Sequence, residues 1–411
     1  MYTGWSGVGQ DGKIRLKNTL ITWGRIAMRY VLVGVLALIL LAVGYVLLWP
    51  VPFEPEEVTV GPNPGFAGPF AQNTALRNVK YLGEAMGVGP EDVTVKDGYA
   101  YTGLADGSVI RIRIDGAGPT TVPVMPGTPA PPSAPGLGAE KLANTGGRPL
   151  GLQHDPFGNI VVADAKRGLL AITQTGQIFP VAQRYEGRPL AFADDLDIAK
   201  DGTIYFSEAS MRHGIDAFAL DFYEGKPTGR LFSFDPRSSQ LQVRMQNLSF
   251  ANGVALGPDE EYVLVNETSA HRITRYWLKG PKQFQQDRFA ENLPGYPDNI
   301  SFNGRDLFWV ALAGPRIKLL EDQLKTTFTR KVMFRLNMIG LAALPVTPEP
   351  YGCIVAFNLQ GQVVATLQDP GGRTINTVTS VNEKDGVLYL GSLATDRIAT
   401  IPVPPQLLQP R

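Results

Sequence analysis

Residues 194–209 read DDLDIAKDGTIYFSEA, an alternating run that turns at Asp-Gly and continues into a second alternating run. Alternating apolar and polar residues are typical of a β-strand with one buried face, and a Gly-containing turn joins two such strands. Similar units begin at five other positions: Glu91, Gly151, Asn252, Asp298 and Ile375. Their spacing suits four-stranded blades with insertions, so we predict an all-β fold, a six-bladed β-propeller over residues 81–405. The regularity of the repeat disfavours the alternative of a β-sandwich.

Four of the units open with related motifs, GPEDV at 89–93, FADDL at 192–196, FANGV at 250–254 and YPDNI at 296–300. The innermost strands of a propeller line its central channel, so equivalent positions converge there. The candidate metal ligands are therefore Glu91, Asp194, Asn252, Asp298 and Asn299. Crowded carboxylates repel one another unless a cation neutralises them, and an all-oxygen set suits Ca²⁺, while Mg²⁺ or Mn²⁺ would also fit. The alternative is that these residues only cap β-turns.

Composition excludes several classes of protein. The 411 residues contain 38 Lys plus Arg and 38 Asp plus Glu, so no basic excess predicts a nucleic-acid partner. The single cysteine, Cys353, permits no intrachain disulfide and is predicted to lie in the core. No Gly-x-Ser-x-Gly, His-Glu-x-x-His or phosphate-loop motif occurs, which disfavours serine hydrolases, zinc proteases and P-loop enzymes.

The N-terminal region predicts a membrane anchor. Residues 30–49 form a twenty-residue run without a charged residue, enough for a helix to cross the roughly 30 Å hydrocarbon core. Five basic residues precede this run, and three glutamates follow it: Lys13, Arg15, Lys17, Arg25 and Arg29, then Glu54, Glu56 and Glu57. The positive-inside rule predicts that segment 1–29 is cytoplasmic and that the propeller lies on the periplasmic or luminal side. Residues 50–80 are predicted to be the linker between the membrane helix and the propeller. The alternative, a cleaved signal peptide, lacks a small-residue cleavage site.

Three segments interrupt the repeats. Residues 122–147 are rich in Pro, Gly and Ala and predict a loop. Residues 211–228, which contain His213, interrupt the third unit. Residues 316–345 predict one or two amphipathic helices, which would lie on a lipid surface or form a lid over the channel mouth.

The chain resembles the strictosidine synthase-like propellers, and more distantly paraoxonases and gluconolactonases. The resemblance spans about residues 75–403 and rests on GPEDV, GRPLGL, FADDLDIAKDGTIYFSEAS, FANGVALGPDEEYVLVNET and YPDNI. It implies a six-bladed propeller with Ca²⁺ on its axis, held by Glu91, Asp194, Asn252 and Asp298, with Asn299 as a further ligand. Two departures stand out. Asp194 occupies a position where relatives usually carry Asn, and the stretch containing Asp164 lacks the histidine that paraoxonases place near the metal.

The residues and the resemblance together predict metal-assisted hydrolysis of a small hydrophobic ester or lactone, of the arylesterase or lactonase type. The candidate general bases are Asp195 and Asp298, and His213 is a third catalytic candidate because its insertion is expected to overhang the channel. The alternative is a non-catalytic propeller with a structural Ca²⁺, which binds a lipid or docks on a membrane protein complex.

Overall fold

The computed structural model describes residues 10–115 and 138–409, with side chains from Thr22 onward. The first nine residues of the predicted cytoplasmic segment and residues 122–137 of the predicted loop lie outside the described residues. The described chain divides into two compact units. One contains residues up to Glu54 together with Thr327–Leu344, and the other contains Pro55–Thr326 and Pro345–Arg411.

The larger unit is the predicted propeller, which is confirmed: six four-stranded antiparallel sheets follow one another. A short strand, β1 (Lys80–Leu82), precedes the first blade. Blade one contains β2 (Val93–Lys96), β3 (Tyr99–Gly103), β4 (Ser108–Arg113) and β5 (Ala139–Asn144). Blade two contains β6 (Pro149–His154), β7 (Ile160–Asp164), β8 (Gly168–Ile172) and β9 (Ile178–Ala182). A two-stranded hairpin follows, β10 (Arg184–Tyr185) and β11 (Arg188–Pro189).

The remaining blades have the same order. Blade three contains β12 (Ala193–Ile198), β13 (Ile204–Glu208), β14 (Gly229–Asp235) and β15 (Gln240–Leu248). Blade four contains β16 (Ala251–Leu256), β17 (Tyr262–Glu267), β18 (Arg272–Trp277) and β19 (Gln286–Ala290). Blade five contains β20 (Gly295–Phe302), β21 (Leu307–Pro315), β22 (Tyr351–Asn358) and β23 (Val363–Pro370). Blade six contains β24 (Val378–Lys384), β25 (Val387–Ser392) and β26 (Ile398–Pro402).

The ring is closed by β1, which pairs antiparallel with β26 and supplies the fourth strand of blade six. The segment before it is also part of the propeller unit from residue 55 onward, although the sequence suggested a linker up to residue 80. Phe70 and Leu76 are buried there, and Gln368 Nε2 donates to the carbonyl oxygen of Phe70 at 3.1 Å. The outermost strand of the last blade therefore comes from the N-terminal end of the domain.

Local turn chemistry and apolar layers explain the blades. Asp97-Gly98 and Asp385-Gly386 join inner to second strands with positive φ at both residues, a combination typical of the type I′ hairpin turn, which favours Gly at its second position. Buried apolar side chains then fill the space between neighbouring blades. Cys353, predicted to be a core residue, is buried in the cluster between blades four and five, and burial raises the pKa of its thiol.

The propeller unit carries two short helices in its insertions, α2 (Phe218–Glu224) in blade three and α3 (Lys318–Leu324) in blade five. Short 3-10 turns account for most of its remaining helical residues: Gly68–Phe70, Ala75–Asn78, Ile215–Ala217, Pro258–Glu260, Thr268–Ala270 and Pro405–Leu407.

The smaller unit contains two helices, α1 (Gln10–Leu48) and α4 (Thr327–Met338). The part of α1 from Thr22 to Leu48 is long and apolar enough to cross a membrane, so the helix fits a membrane anchor. Arg335 on α4 donates from Nη1 to the carbonyl oxygen of Val46 at 3.0 Å. The C-terminal carbonyls of a helix lack intrahelical partners, and this guanidinium supplies one.

Candidate functional site

The inner strands of blades two to five each carry a β-bulge, and in blades three to five the bulge falls on one of the four sequence motifs. Two consecutive residues stand opposite one residue of the neighbouring strand in each bulge: Leu150-Gly151, Asp194-Asp195, Asn252-Gly253 and Asp298-Asn299. A bulge interrupts the ladder and re-aims side chains, so both residues of a pair can face the channel. In blades three to five the motifs therefore mark the places where the channel wall departs from regular sheet geometry, whereas GPEDV ends at the first residue of β2.

Glycine occupies the second bulge position in blades two and four because the next blade lies against it. A Cβ atom on Gly151 would fall 2.4 Å from Asp195 Oδ1, and one on Gly253 would fall 2.5 Å from the carbonyl oxygen of Asp298. Only glycine permits such a close approach of backbone to backbone. These two glycines set how tightly the blades carrying the acidic residues approach their neighbours.

Four of the five predicted metal ligands line one cavity of about 300 Å³, which we call the upper pocket. Glu91, Asp194, Asn252 and Asp298 are all buried at its polar end. Burial and then the negative charges of Asp298 and Asp194 raise the pKa of Glu91 well above its ordinary value. Burial, followed by repulsion from Asp298, likewise raises the pKa of Asp194. Burial raises the pKa of Asp298 to about 7, against a hydrogen bond from Asn252 that lowers it.

Arg148 is the cation whose charge acts on this cluster. It is buried, and both of its Nη atoms donate to the carbonyl oxygen of Gly89 at 3.1 Å. Its charge lowers the pKa values of Glu91 and Asp194, but in both residues burial acts more strongly in the opposite direction. Glu91 and Asp194 thus interact with the same buried guanidinium, and its charge does not offset the effect of burial on either carboxyl group.

Unpaired oxygen atoms indicate what the cluster would bind. Glu91 Oε2, Asn252 Oδ1 and Asn299 Oδ1 are buried without a hydrogen-bond partner, while Asn299 Nδ2 donates to Glu91 Oε1 at 2.9 Å. An unsatisfied buried polar atom costs on the order of 1–3 kcal/mol, which coordination to a cation would offset. Carboxylate and amide oxygens are the donors that a hard cation such as Ca²⁺ prefers.

Amide oxygens are essential to that interpretation. Among residues 22–115 and 138–409, no group of three or more His, Cys, Asp or Glu side chains that could hold a metal ion is found. A cation at the upper pocket would consequently depend on Asn252, and on Asn299 if it turns its Oδ1 inward, in addition to the carboxylates. The chemistry of the donors fits a hard cation.

Asp195, a predicted general base, lies in a different cavity. It lines the lower pocket, a cavity of about 520 Å³ whose polar wall includes Asp92, Asp197 and Asn299. Its Oδ2 accepts a hydrogen bond from the backbone N–H of Val254 at 2.7 Å. Asp298 is thus the candidate base that lines the upper pocket, and Asp194 and Asp195, adjacent in sequence, serve two different cavities.

Asp92 is a channel residue that the sequence analysis did not single out. Its Oδ2 accepts from the N–H of Leu152 at 3.0 Å, as Asp195 accepts from Val254. Blades one and three therefore share a sequence feature that could have identified Asp92, a pair of adjacent acidic residues: Glu91-Asp92 and Asp194-Asp195. In each pair the first residue lines the upper pocket and the second bonds to the next blade.

The three histidines lie outside the residues that line the upper pocket. His213, a catalytic candidate, is buried with its Nε2 2.9 Å from Glu224 Oε2, which Arg212 also contacts. His271 is buried with Nδ1 3.0 Å from the carbonyl oxygen of Gly295, and burial lowers its pKa to about 3. The ring of His154 packs edge-on against Tyr101, and burial lowers its pKa to about 4.

Aromatic side chains form the walls of the upper pocket. Three of them stand two residues before a polar residue of the floor: Phe192 before Asp194, Phe250 before Asn252 and Tyr296 before Asp298. The insertions add Phe218 and Phe222 from α2 and Leu320 from α3. Phe222 joins the others, with ring centroids 4.8 Å from Phe250 and 6.0 Å from Tyr296. The repeated aromatic residue was visible in the motifs, and its spacing could have predicted the wall.

Two residues of the pocket wall have a strained backbone. Phe250 has φ of 58° and Thr377 has φ of 49°, in the left-handed region that bulky and β-branched residues avoid. Such strain persists where the surrounding structure fixes the conformation, and it concentrates at functional sites. Both residues directly precede an inner strand, so the strained backbone lies where the chain begins to form the channel wall.

A six-bladed propeller with a carboxylate floor beneath an aromatic wall defines the class of this protein, and sequence comparison identifies its family. The sequence profile of strictosidine synthase matches residues 194–281, and that of the N-terminal part of strictosidine synthase-like proteins matches residues 68–112. The chain belongs to the strictosidine synthase-like family.

Two relatives illustrate the match. Adipocyte plasma membrane-associated protein from Salmo salar is 33% identical over 368 residues, which cover 87% of this chain and 86% of the relative. Strictosidine synthase-like protein 13 from Arabidopsis thaliana is 34% identical over 314 residues, which cover 74% and 75%.

Solved structures support the fold. A gluconolactonase from Xanthomonas campestris superposes with a TM-score of 0.54 at 16% identity, covering 87% of this chain and 99% of that one. Regucalcin from Agrobacterium tumefaciens, a calcium-binding protein, gives a TM-score of 0.50 at 11% identity, covering 78% and 93%. At these identities the likeness concerns the fold alone.

Proposed function

We propose that this protein is a membrane-anchored, Ca²⁺-dependent hydrolase of apolar esters or lactones. The observation that carries the proposal is the upper pocket, where buried carboxylates and unpaired amide oxygens lie at one end of a cavity walled by aromatic rings. The gluconolactonase among the solved structures with this fold is consistent with lactone hydrolysis. Ligand pockets are typically apolar with a few convergent polar groups, as here.

Glu91, Asp194, Asn252 and Asp298 would hold the cation, with Asn299 as a further donor. When bound, Ca²⁺ would supply Lewis acidity toward the substrate carbonyl oxygen and balance the charge of the floor. Mg²⁺ or Mn²⁺ would satisfy the same oxygen donors less well, because Ca²⁺ accepts more protein oxygen ligands in a more flexible geometry.

The residues of the chain would perform the rest of the reaction. The rings of Phe192, Phe222 and Phe250 bind the apolar part of the substrate and exclude water from it. A carboxylate oxygen of Asp298 accepts a proton from water as the water oxygen bonds to the carbonyl carbon. The C–O bond to the leaving group then breaks, and the same carboxyl returns the proton to the departing oxygen, so that atoms and charge balance.

The proposal is tested with full-length protein in detergent, assayed for metal content and for hydrolysis of phenyl acetate and p-nitrophenyl acetate. We expect activity to disappear on chelation and to return with Ca²⁺. Asp298→Asn should lower kcat at least 100-fold, while Asp306→Asn, in the β20–β21 turn of the same blade at the lower end of the channel, should leave it unchanged. Full activity in the chelated protein or in Asp298→Asn would contradict the proposal.

One observation favours a second candidate. The histidines lie elsewhere, so among the described residues the only carboxylates that line the upper pocket are those that would also hold the cation. If coordination occupies all of them, no base remains, and the propeller would bind a lipid or dock on a membrane protein complex with a structural Ca²⁺. Tight Ca²⁺ binding with no turnover of any ester or lactone would favour this candidate.

We further propose that the N-terminus lies in the cytoplasm and the propeller on the periplasmic or luminal side. Arg25 and Arg29 flank the apolar helix on its N-terminal side, and Glu54, Glu56 and Glu57 follow it. Protease added to spheroplasts should degrade a periplasmic propeller, and protease added to sealed microsomes should spare a luminal propeller until detergent opens them. Protection in spheroplasts, or degradation in sealed microsomes, would reverse the assignment.

A further inference from the structure

The mouth of the upper pocket is surrounded by exposed apolar side chains. Phe218 and Leu393 line the pocket and are each 44% exposed. Val88, Met211 and Leu319 are 65%, 53% and 56% exposed and lie outside the pocket itself. We call these five residues the rim. Single exposed apolar residues are ordinary, but several around one opening mark an interaction site.

Hydrogen bonds place the rim residues on the same side of the propeller. The N–H of Gly89, next to Val88, donates to the carbonyl oxygen of Thr395, two residues beyond Leu393. The N–H of Met211 donates to the carbonyl oxygen of Thr228, so Met211 stands at the base of the insertion that carries Phe218. Leu319 precedes Leu320, which lines the pocket. The rim therefore belongs to both insertions, to the loop before blade one and to the β25–β26 loop of blade six.

Covalent connection limits how far this side can lie from a bilayer. The apolar helix ends at Leu48, and the N–H of Glu56 already donates to the carbonyl oxygen of Glu224, the last residue of α2, at 2.9 Å. Val58 bonds in the same way to the carbonyl oxygen of Leu324, the last residue of α3, at 3.0 Å. Eight residues span at most about 29 Å when fully extended. The two helices beside the pocket are thus the parts of the propeller to which the anchor is most directly tied.

We infer that the rim is a membrane-docking surface and that the upper pocket opens toward the bilayer, from which it receives a lipid-dissolved substrate. Burial of exposed apolar side chains at the headgroup boundary is favourable because it removes apolar surface from water. A tether of this length keeps the rim close to the bilayer in which the apolar helix would be anchored. We therefore take a lipid surface as the partner that covers the rim. The substrate part of this inference rests on the proposed function, whereas the docking part does not.

Lipid-borne quenching tests the docking. A fluorophore is placed on a single introduced cysteine, Val88→Cys, Met211→Cys or Leu319→Cys, in full-length protein reconstituted into phosphatidylcholine vesicles. Cys353 is the only native cysteine and is buried, so dye-treated wild-type protein serves as the blank. The matched control is Phe157→Cys, 84% exposed in the β6–β7 turn. Corresponding turns of blades three, four and five line the lower pocket, which places this turn at the opposite end of the channel.

Nitroxide attached near the headgroup end of the lipid acyl chain should quench the rim labels at least threefold more than the label at position 157. Equal quenching would overturn the docking. Rim labels shielded from a water-soluble quencher but not reached by the lipid nitroxide would also overturn it, because a protein partner or a second copy of this chain would then cover the rim.

A second experiment tests the substrate class. Val88→Glu, Met211→Glu and Leu319→Glu, combined, should lower hydrolysis of a long-chain ester dissolved in vesicles at least tenfold and leave hydrolysis of soluble phenyl acetate unchanged. An equal effect on the two substrates would overturn delivery from the bilayer. If wild-type protein hydrolyses neither ester, the proposed function fails, and the quenching measurement still decides the docking.

Discussion

The two ends of the propeller channel both contain buried carboxylates, but they use them differently. In the lower pocket, Asp92, Asp195 and Asp197 each accept a hydrogen bond from a backbone N–H of the next blade. In the upper pocket, Glu91 Oε2 and Asn252 Oδ1 have no partner. The lower carboxylates are therefore part of the blade-to-blade contacts, whereas the upper groups are left free to bind something else. A bulge that exposes two neighbouring residues allows one motif to serve both purposes.

The largest expected effect comes from pH. The pKa of Asp298 is raised to about 7, so the folded protein retains a proton that the unfolded chain releases near pH 4. Without metal, stability should fall between about pH 4 and pH 7, by on the order of 4 kcal/mol from this carboxyl alone. The raised pKa values of Glu91 and Asp194 add to the fall.

With Ca²⁺ bound the slope should reverse, because protons then compete with the cation for the same oxygens. The midpoint of thermal unfolding, measured from pH 5 to pH 8 with chelator and with Ca²⁺, checks this. Asp197 lies in the lower pocket, and burial raises its pKa to about 6. It therefore lowers stability with rising pH by the same amount in the chelated and the Ca²⁺-bound protein. Curves that stay parallel would show that the upper pocket binds no cation.

The next largest effect separates two neighbouring residues. Asp194→Ala should abolish Ca²⁺ binding and lower kcat/KM at least 100-fold, about 2.7 kcal/mol, with little loss of stability in the metal-free protein. Asp195→Ala should keep the metal but lose about 1–3 kcal/mol of stability, because the N–H of Val254 loses its acceptor. Calorimetric Ca²⁺ titration and urea unfolding of both variants measure the difference. Identical behaviour of the two variants would refute the division of roles.

A smaller effect concerns the aromatic wall. Phe250→Ala should lower kcat/KM for phenyl acetate about tenfold, mainly through KM, because the ring contributes binding area and not chemistry. Phe302→Ala, at a residue that lines the lower pocket, is the matched control and should leave both constants unchanged. An equal loss in the two variants would place the substrate outside the upper pocket.

The smallest expected effect concerns backbone strain. Thr377→Gly removes a β-branched residue from φ of 49° and should stabilise the fold by less than about 1 kcal/mol, because glycine also loses more entropy on folding. Asp385→Gly, at a turn residue with φ of 50° far from the pocket, is the comparison. Urea unfolding measures both changes, and lowered kcat in Thr377→Gly alone would mean that the strained wall assists catalysis.

The sequence predicted the blades well because strand alternation and turn residues are local. Four of the six predicted unit starts lie within the first half of an inner strand, and the other two, Glu91 and Ile375, lie just before β2 and β24. The ring-closing strand β1 was not assigned to blade six, because three residues carry too little periodicity and their partner is far away in sequence. The pairing of strands that are far apart in sequence cannot be inferred from the alternation of residues within one strand.

The site was predicted less completely. The motifs identified Glu91, Asp194, Asn252 and Asp298, which the structure brings to one cavity. They did not distinguish Asp194 from Asp195, because the bulge that assigns the two residues to different pockets depends on strand register. The contact of His213 with Glu224 was equally invisible, since it joins two ends of an insertion without a repeating pattern.

Closure of the ring by β1 has a consequence for biosynthesis. Lys80 and Thr400 pair across 320 residues, so β1 is synthesised soon after the apolar helix and its partner emerges only when a further 320 residues have been added. Until then blade six lacks its outer strand and the nascent chain presents an unpaired edge, the kind of surface that invites wrong pairing. A premature stop before Ile398 would leave that edge permanently open beside the membrane. Quality-control proteases that recognise unpaired strands would therefore detect incomplete chains even when five of the six blades had formed.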